Sequence, residues 1–149
     1  MKKISVVGAG SWGTTLAVLL GEKGFDVKLW ARRKELANEI ESRKENLQYL
    51  PGIKIPSNVI TNHSLKNAIN DSEIIIIAVP SEFLRKTINE IKPYFNNQIL
   101  VSVTKGIEHN TCRRMSPSSS SKFSQSLFLT ASQTSFDSSL RYLSRDLWV

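Results

Sequence analysis

An α/β fold built on a doubly wound parallel sheet is what this 149-residue sequence predicts, and three observations predict it. Apolar, β-branched runs alternate with helix-like segments over the first 111 residues. Two of those runs, 72–79 (SEIIIIAV) and 98–104 (QILVSVT), are continuous rather than alternating, as in strands covered on both faces. The first run, Ile4-Ser5-Val6-Val7, leads directly into Gly8-Ala9-Gly10-Ser11-Trp12-Gly13, a G-x-G-x-x-G turn placed between strand and helix.

The elements follow in order. After the glycine turn, Thr14 to Leu20 reads as a helix with Leu16, Leu19 and Leu20 on one face, and Gly24 can end it. Phe25 to Ala31 is a second strand. Lys34 to Glu45 is a polar helix with Leu36, Ala37 and Ile40 on its apolar side. The stretch 46–56 (NLQYLPGIKIP) is expected to be a loop, since two prolines and a glycine break either period. Val59 to Thr61 is a short strand, and Ser64 can cap a short helix running toward Asn70. The 72–79 strand stops at Pro80. Ser81 is placed to cap a helix bearing Phe83, Leu84, Ile88 and Ile91, which Pro93 stops before the 98–104 strand.

The glycine spacing has a physical reading. Gly8 permits the tight turn, Gly10 lets the backbone approach a pyrophosphate, and Gly13 lets helix and strand pack closely. The helix N-terminus supplies unpaired N–H groups and partial positive charge. At the end of the second strand an acidic residue would bind the ribose 2′-hydroxyl of NAD. This chain has Trp30-Ala31-Arg32-Arg33 instead, and Asp26 lies at the wrong end of the strand. Two guanidinium groups suit a 2′-phosphate, so NADPH is the expected cofactor and NADH the alternative.

Ligands of open α/β sheets bind beyond the carboxyl ends of the strands, which places Lys105, after Val103-Thr104, in the site. By the same rule Pro80-Ser81 would flank the nicotinamide. Tyr49, in the Pro/Gly stretch, either covers the cofactor or anchors its loop. His63 and His109 have no partner at metal-ligand spacing, Cys112 has no companion motif, and Glu73 and Glu108 read as surface charges. No metal is expected.

Composition narrows the classes. The net charge is +7, of which residues 1–111 carry +4 and residues 112–149 carry +3. Neither part holds a basic block interleaved with aromatics, so no nucleic-acid partner is expected. The longest apolar run, Ile74 to Val79, falls far below the roughly 20 residues of a membrane span. Gly8, Gly10, Trp12 and Gly13 interrupt what would otherwise resemble a secretory leader. A single cysteine fits a reducing compartment, and the expected location is cytoplasmic.

Past Thr111 the chain changes character. Lysine falls from 11 to 1, while serine rises from 8 in the first 111 residues to 12 in the last 38. Gly, Ile and Asn vanish, and neither structural period survives. Residues 1–111 are therefore expected to form the nucleotide-binding domain. Residues 112–149 are expected to be an unmatched serine-rich tail, either disordered or translated out of frame, with the second reading preferred.

The segments GAGSWGTTLA (8–17), LWARRKE (29–35), NLQYLPGIKIPSNV (46–59), AVPSEFLR (78–85) and VSVTKGIEHNT (101–111) together resemble the N-terminal half of bacterial NAD(P)-dependent glycerol-3-phosphate dehydrogenases. The resemblance spans residues 4–111 and implies a Rossmann-type domain. It implies reduction of dihydroxyacetone phosphate to sn-glycerol 3-phosphate with NADPH, for phospholipid synthesis in the cytoplasm. It further implies that Ser11, Trp12, Arg32, Arg33 and Tyr49 contact NADPH, and that Lys105 lies where cofactor and substrate meet. The intact enzyme could be a homo-oligomer.

Members of that family carry a second, helical domain with a catalytic lysine and the residues that hold the substrate phosphate. After Thr111 only Arg114-Met115-Ser116 can be aligned, and the expected Ser-Gly-Pro segment is absent. The catalytic set is thus incomplete, because a general acid must lie within hydrogen-bond reach of the carbonyl oxygen. The expectation is a fragment, truncated and frameshifted, with little or no activity. The alternatives are a non-catalytic NADPH-binding module or a non-functional product.

Overall fold

A computed structural model describes residues 2–104; Lys105, Glu108, His109, Cys112 and the stretch 112–149 lie outside the described residues. The described elements run β1 (Lys3–Val7), α1 (Ser11–Glu22), β2 (Asp26–Trp30), α2 (Lys34–Arg43), β3 (Glu45–Asn46), β4 (Leu50–Lys54), β5 (Val59–Asn62), α3 (Leu65–Ile69), β6 (Ile74–Ile77), α4 (Ser81–Ile91), a 3₁₀ turn (Lys92–Tyr94) and β7 (Ile99–Ser102). Five strands form one parallel sheet in the order β5-β2-β1-β6-β7. Ile4 pairs with Val27 on one side and Ile74 on the other; Val7 pairs with Trp30 and Ile77.

Side chains alternate across this sheet and define two cores. Val6, Val27, Leu29 and Val59 pack with Ala17 and Val18 of α1 and Leu36, Ala37 and Ile40 of α2. Val7, Trp30, Ile75, Ile77 and Leu100 pack with Ala68 and Ile69 of α3 and Leu84 and Ile91 of α4. The helices thus cover both faces, as the apolar strands predict. The chain leaves β1 toward β2 and β5, then returns past β1 to β6. The direction of winding therefore reverses beside β1, where ligands of such sheets bind.

Polar groups inside this frame are tied to backbone. The Ser5 hydroxyl, fully buried on β1, donates to the Ala68 carbonyl and lies 2.6 Å from the Ser72 hydroxyl. Lys28 Nζ donates to the Asn67 and Asn70 carbonyls at 3.2 and 2.9 Å, satisfying free carbonyls at the end of α3. Trp30 Nε1 donates to the His63 carbonyl at 2.9 Å.

Three local expectations are corrected. The face of α1 that packs inward is Gly13, Thr14, Ala17, Val18 and Gly21, with Leu20 partly buried against the same core, whereas Leu16 is only partly buried and Leu19 is 48% exposed. Small residues win because they let the helix lie close: a Cβ on Gly21 would sit 2.6 Å from Val59 Cγ2. The stretch 46–56 is not wholly a loop. The polar helix ends at Arg43, Lys44 turns left-handed (φ 49°), and β3 and β4 pair antiparallel with Glu45 opposite Lys54 and Asn46 opposite Leu50. Pro51 is tolerated because a two-stranded ribbon leaves an edge without ladder bonds, and Gly52 takes a positive φ.

Ser81 does not cap α4. Pro80 occupies that position and its carbonyl accepts the Phe83 N–H at 3.0 Å, leaving Ser81 as the first helical residue. Ser64 does cap α3, accepting from the Asn67 N–H at 3.4 Å. Gly24 ends α1 with φ +85°, its N–H bonded to the Gly21 carbonyl.

Candidate cofactor site

At the carboxyl edge of the sheet, the turns after β1, β2 and β6 diverge around a cleft of about 280 Å³. Gly8, Ala9 and Gly10 form its floor, Arg32 and Arg33 one wall, and Ala78, Val79 and Pro80 the other. Its volume lies near the ~300 Å³ lower end of small-molecule sites, enough for part of a dinucleotide. Backbone bonds fix the three turns at their starts: Gly8 N–H to the Trp30 carbonyl, Ala31 N–H to Asn62, and Ala78 N–H to Val7.

The three glycines do different work. Gly8 has φ +120°, and a Cβ there would lie 2.5 Å from the Ala78 carbonyl oxygen. A Cβ on Gly13 would lie 1.8 Å from the Gly8 carbonyl oxygen, so this glycine lets α1 start against the turn. Gly10 is unlike both: its φ is −76° and a Cβ would meet no atom within 4 Å. Among the described residues nothing requires a glycine at this position. The missing side chain instead keeps clear the space in front of the α1 N-terminus, where an anionic group is favoured. The cradle therefore fits a pyrophosphate.

Arg32 and Arg33, adjacent in sequence, take different partners. The Arg32 guanidinium lies over the Phe83 ring, 5.1 Å from its centroid. Arg33 donates to the Gln48 side-chain carbonyl and, at 3.3 Å, to the Tyr49 hydroxyl. Tyr49 is thereby held at the cleft edge, and its own carbonyl accepts from Ser11 Oγ at 2.7 Å. The loop anchored by an aromatic and the aromatic lining the site are the same feature.

Of the residues singled out from sequence, Gly8, Gly10, Arg32, Arg33 and Tyr49 line the cleft. Ser11 reaches it through Tyr49, Gly13 serves the packing beneath it, and Trp12 sits half-exposed at the start of α1. Lys105 lies outside the described residues. Sequence reasoning missed Phe83, Lys86, Thr87 and Glu90, which bring one side of α4 into the cleft. Periodicity groups Phe83 with the apolar side of its helix; in the structure it is 36% exposed and faces Arg32. Asn46 was also missed. It is fully buried, and its side chain bonds Ala9, Thr14 and Tyr49.

His63 and Glu73 are exposed, and Glu73 accepts a long bond from the Lys3 N–H. Among the described residues no group of three or more His, Cys, Asp or Glu could hold a metal ion, and no helix is long and apolar enough to cross a membrane.

Comparison with known proteins agrees with this geometry. The family described as NAD-dependent glycerol-3-phosphate dehydrogenase N-terminus matches residues 3–130, reaching past the change of composition at Thr111. A glycerol-3-phosphate dehydrogenase [NAD(P)+] of Chlorobium phaeobacteroides is 49% identical over 115 residues, covering 76% of this chain and 34% of its own length. The enzyme of the same name from Bacillus mycoides is 43% identical over 117 residues, covering 78% of this chain and 34% of its own. The crystal structure of glycerol-3-phosphate dehydrogenase from Coxiella burnetii superposes with a TM-score of 0.70 at 32% identity, over 72% of this chain and 34% of that one. The chain thus spans about a third of the length of the curated relatives it matches. It belongs to the NAD-dependent glycerol-3-phosphate dehydrogenase N-terminal family, whose nicotinamide-cofactor domain it represents.

Proposed function

We propose that residues 1–111 are the NADPH-holding domain of an enzyme that reduces dihydroxyacetone phosphate to sn-glycerol 3-phosphate. The observation that carries the cofactor choice is the pair Arg32 and Arg33 in the wall of the cleft, where an NAD-specific site would place a carboxylate. In this reading Gly8, Gly10, Ser11, Trp12 and Gly13 hold or shape the pyrophosphate end, and Arg32 and Arg33 take the 2′-phosphate. Tyr49 flanks the nucleotide. Lys105 follows β7 and meets both cofactor and phosphorylated substrate. When bound, the nicotinamide supplies the hydride; this chain's residues bind and orient it.

The substrate and the role in phospholipid synthesis rest on the names of relatives more than twice as long, and a cytoplasmic, oligomeric enzyme is the corresponding proposal for the whole protein. Residues 112–149 have no assigned part in the site. A polypeptide of these 149 residues alone should bind NADPH and reduce dihydroxyacetone phosphate weakly or not at all, since the lysine of a second domain is needed as general acid. Titration of tryptophan fluorescence with NADPH and NADH tests the reading. Saturable binding that favours NADPH supports it; no binding to either, by a cooperatively folded chain, overturns it.

A further inference from the structure

We propose that Asn46 is a positioning residue for the phosphate-holding turn, acting through Ala9, Thr14 and Tyr49 rather than by touching the nucleotide. The inference rests on the cofactor reading above. Asn46 stands on the two-residue strand β3 with no exposed surface. Its carboxamide nitrogen spends both protons on the phosphate turn and helix start: Nδ2 donates to the Ala9 carbonyl at 3.0 Å and to Thr14 Oγ1 at 2.8 Å. Its oxygen accepts from the Tyr49 N–H at 3.2 Å. One planar group therefore joins the glycine turn, the first turn of α1 and the β3–β4 hairpin.

The bond to Ala9 has a directional effect. In a planar trans peptide the C=O and the following N–H point to opposite sides. Holding the Ala9 carbonyl toward Asn46 turns the Gly10 N–H the other way, away from the hairpin. Gly10 lines the cleft, and among the described residues no atom lies within 4 Å of where its Cβ would be. Asn46 thus sets the orientation of a donor it does not touch. The bond to Tyr49 works on the opposite side of the site. Tyr49 is bonded at its N–H by Asn46, at its carbonyl by Ser11 and at its hydroxyl by Arg33.

An aspartate would not serve. Ionised, it presents only acceptors, and it would set a buried charge against the Ala9 carbonyl.

Two nucleotides separate this role from a merely structural one. NADPH carries the pyrophosphate that the turn would hold; 2′-AMP carries the 2′-phosphate and no 5′-phosphate. In the 149-residue chain, Asn46→Ala should weaken NADPH about tenfold, the equivalent of one good hydrogen bond, and leave 2′-AMP within about twofold. Asn46→Asp keeps the side-chain volume and should show the same selective loss. Equal weakening of both ligands, or no weakening of either, overturns the assignment. So does failure of both variants to unfold cooperatively, which would make Asn46 a packing residue. A wild-type chain that binds neither nucleotide overturns the cofactor reading itself.

Discussion

The Arg32 guanidinium lies 5.1 Å from the centre of the Phe83 ring, joining the turn after β2 to the first turn of α4 across the mouth of the cleft. A cation over an aromatic face at an exposed site contributes about 0.5–1 kcal/mol. That is small enough for a bound nucleotide to displace the contact. It is large enough to keep both groups where a planar base and a phosphate would find them.

From this pair follows a test of cofactor choice. Replacing Arg32 and Arg33 with alanine should weaken NADPH by about 1.5–3 kcal/mol per lost charge-assisted bond, and weaken NADH much less. The ratio of the two dissociation constants, measured by fluorescence titration, reads the effect directly. Equal loss for both cofactors would mean that the arginines do not recognise the 2′-phosphate.

Gly10 and Gly13 should respond oppositely to alanine. At Gly13 a Cβ meets the Gly8 carbonyl oxygen at 1.8 Å, so backbone must move and stability should fall by ~3 kcal/mol or more. At Gly10 there is room and an ordinary φ, so Gly10→Ala should melt within a few degrees of the wild type. Its NADPH affinity should nevertheless drop, because the methyl group occupies the phosphate cradle. Thermal unfolding and titration of both variants decide the matter.

Glu45 gives the hairpin a pH dependence. Hydrogen bonds from Lys54 Nζ at 2.7 Å and from the Gly52 N–H at 2.8 Å hold its carboxyl below the usual glutamate range. A lowered folded-state pKa means stabilisation above the unfolded value of about 4.3, lost as pH falls through the folded value. The β3–β4 hairpin should therefore loosen only in acid. Amide exchange at Gly52 should accelerate below that point in the wild type, while Glu45→Gln should remove the acid-side dependence.

Ser5→Ala tests the polar joint inside the sheet. The substitution leaves the buried Ser72 hydroxyl without its 2.6 Å neighbour and the Ala68 carbonyl without the Ser5 donor. A loss of about 1–3 kcal/mol in chemical denaturation is expected, with nucleotide affinity unchanged. An unchanged midpoint would show that Ser72 alone satisfies the carbonyl.

What the sequence made legible was local. The strand-turn-helix junction, the missing acidic residue after β2 and the apolar strands are each visible within about a dozen residues, because turn geometry and strand burial are set by near neighbours. Phe83 was hidden by its own periodicity. It recurs with Leu84, Ile88 and Ile91, and no periodic pattern tells which apolar residue of a helix meets a ligand instead of the core. Asn46 was hidden for another reason: its partners Ala9 and Thr14 lie 37 and 32 residues away. A polar residue among prolines and glycines looks like loop until the fold closes over it. The misjudged face of α1 has the same origin, since how closely a helix approaches its sheet is decided by the sheet.

The central place of β1, flanked by β2 and β6, bears on how the chain comes into being. Of the described strands of this sheet β1 is the first to be synthesised, and one of its two neighbours, Ile74–Ile77, is some seventy residues behind it. At roughly 5–20 residues per second the newborn strand waits several seconds with one edge unclaimed. During that interval β2 is the one sheet neighbour of β1 that already exists. The nucleotide cleft needs turns from both halves of the sheet, so it cannot be complete before the residues that follow β6 are made.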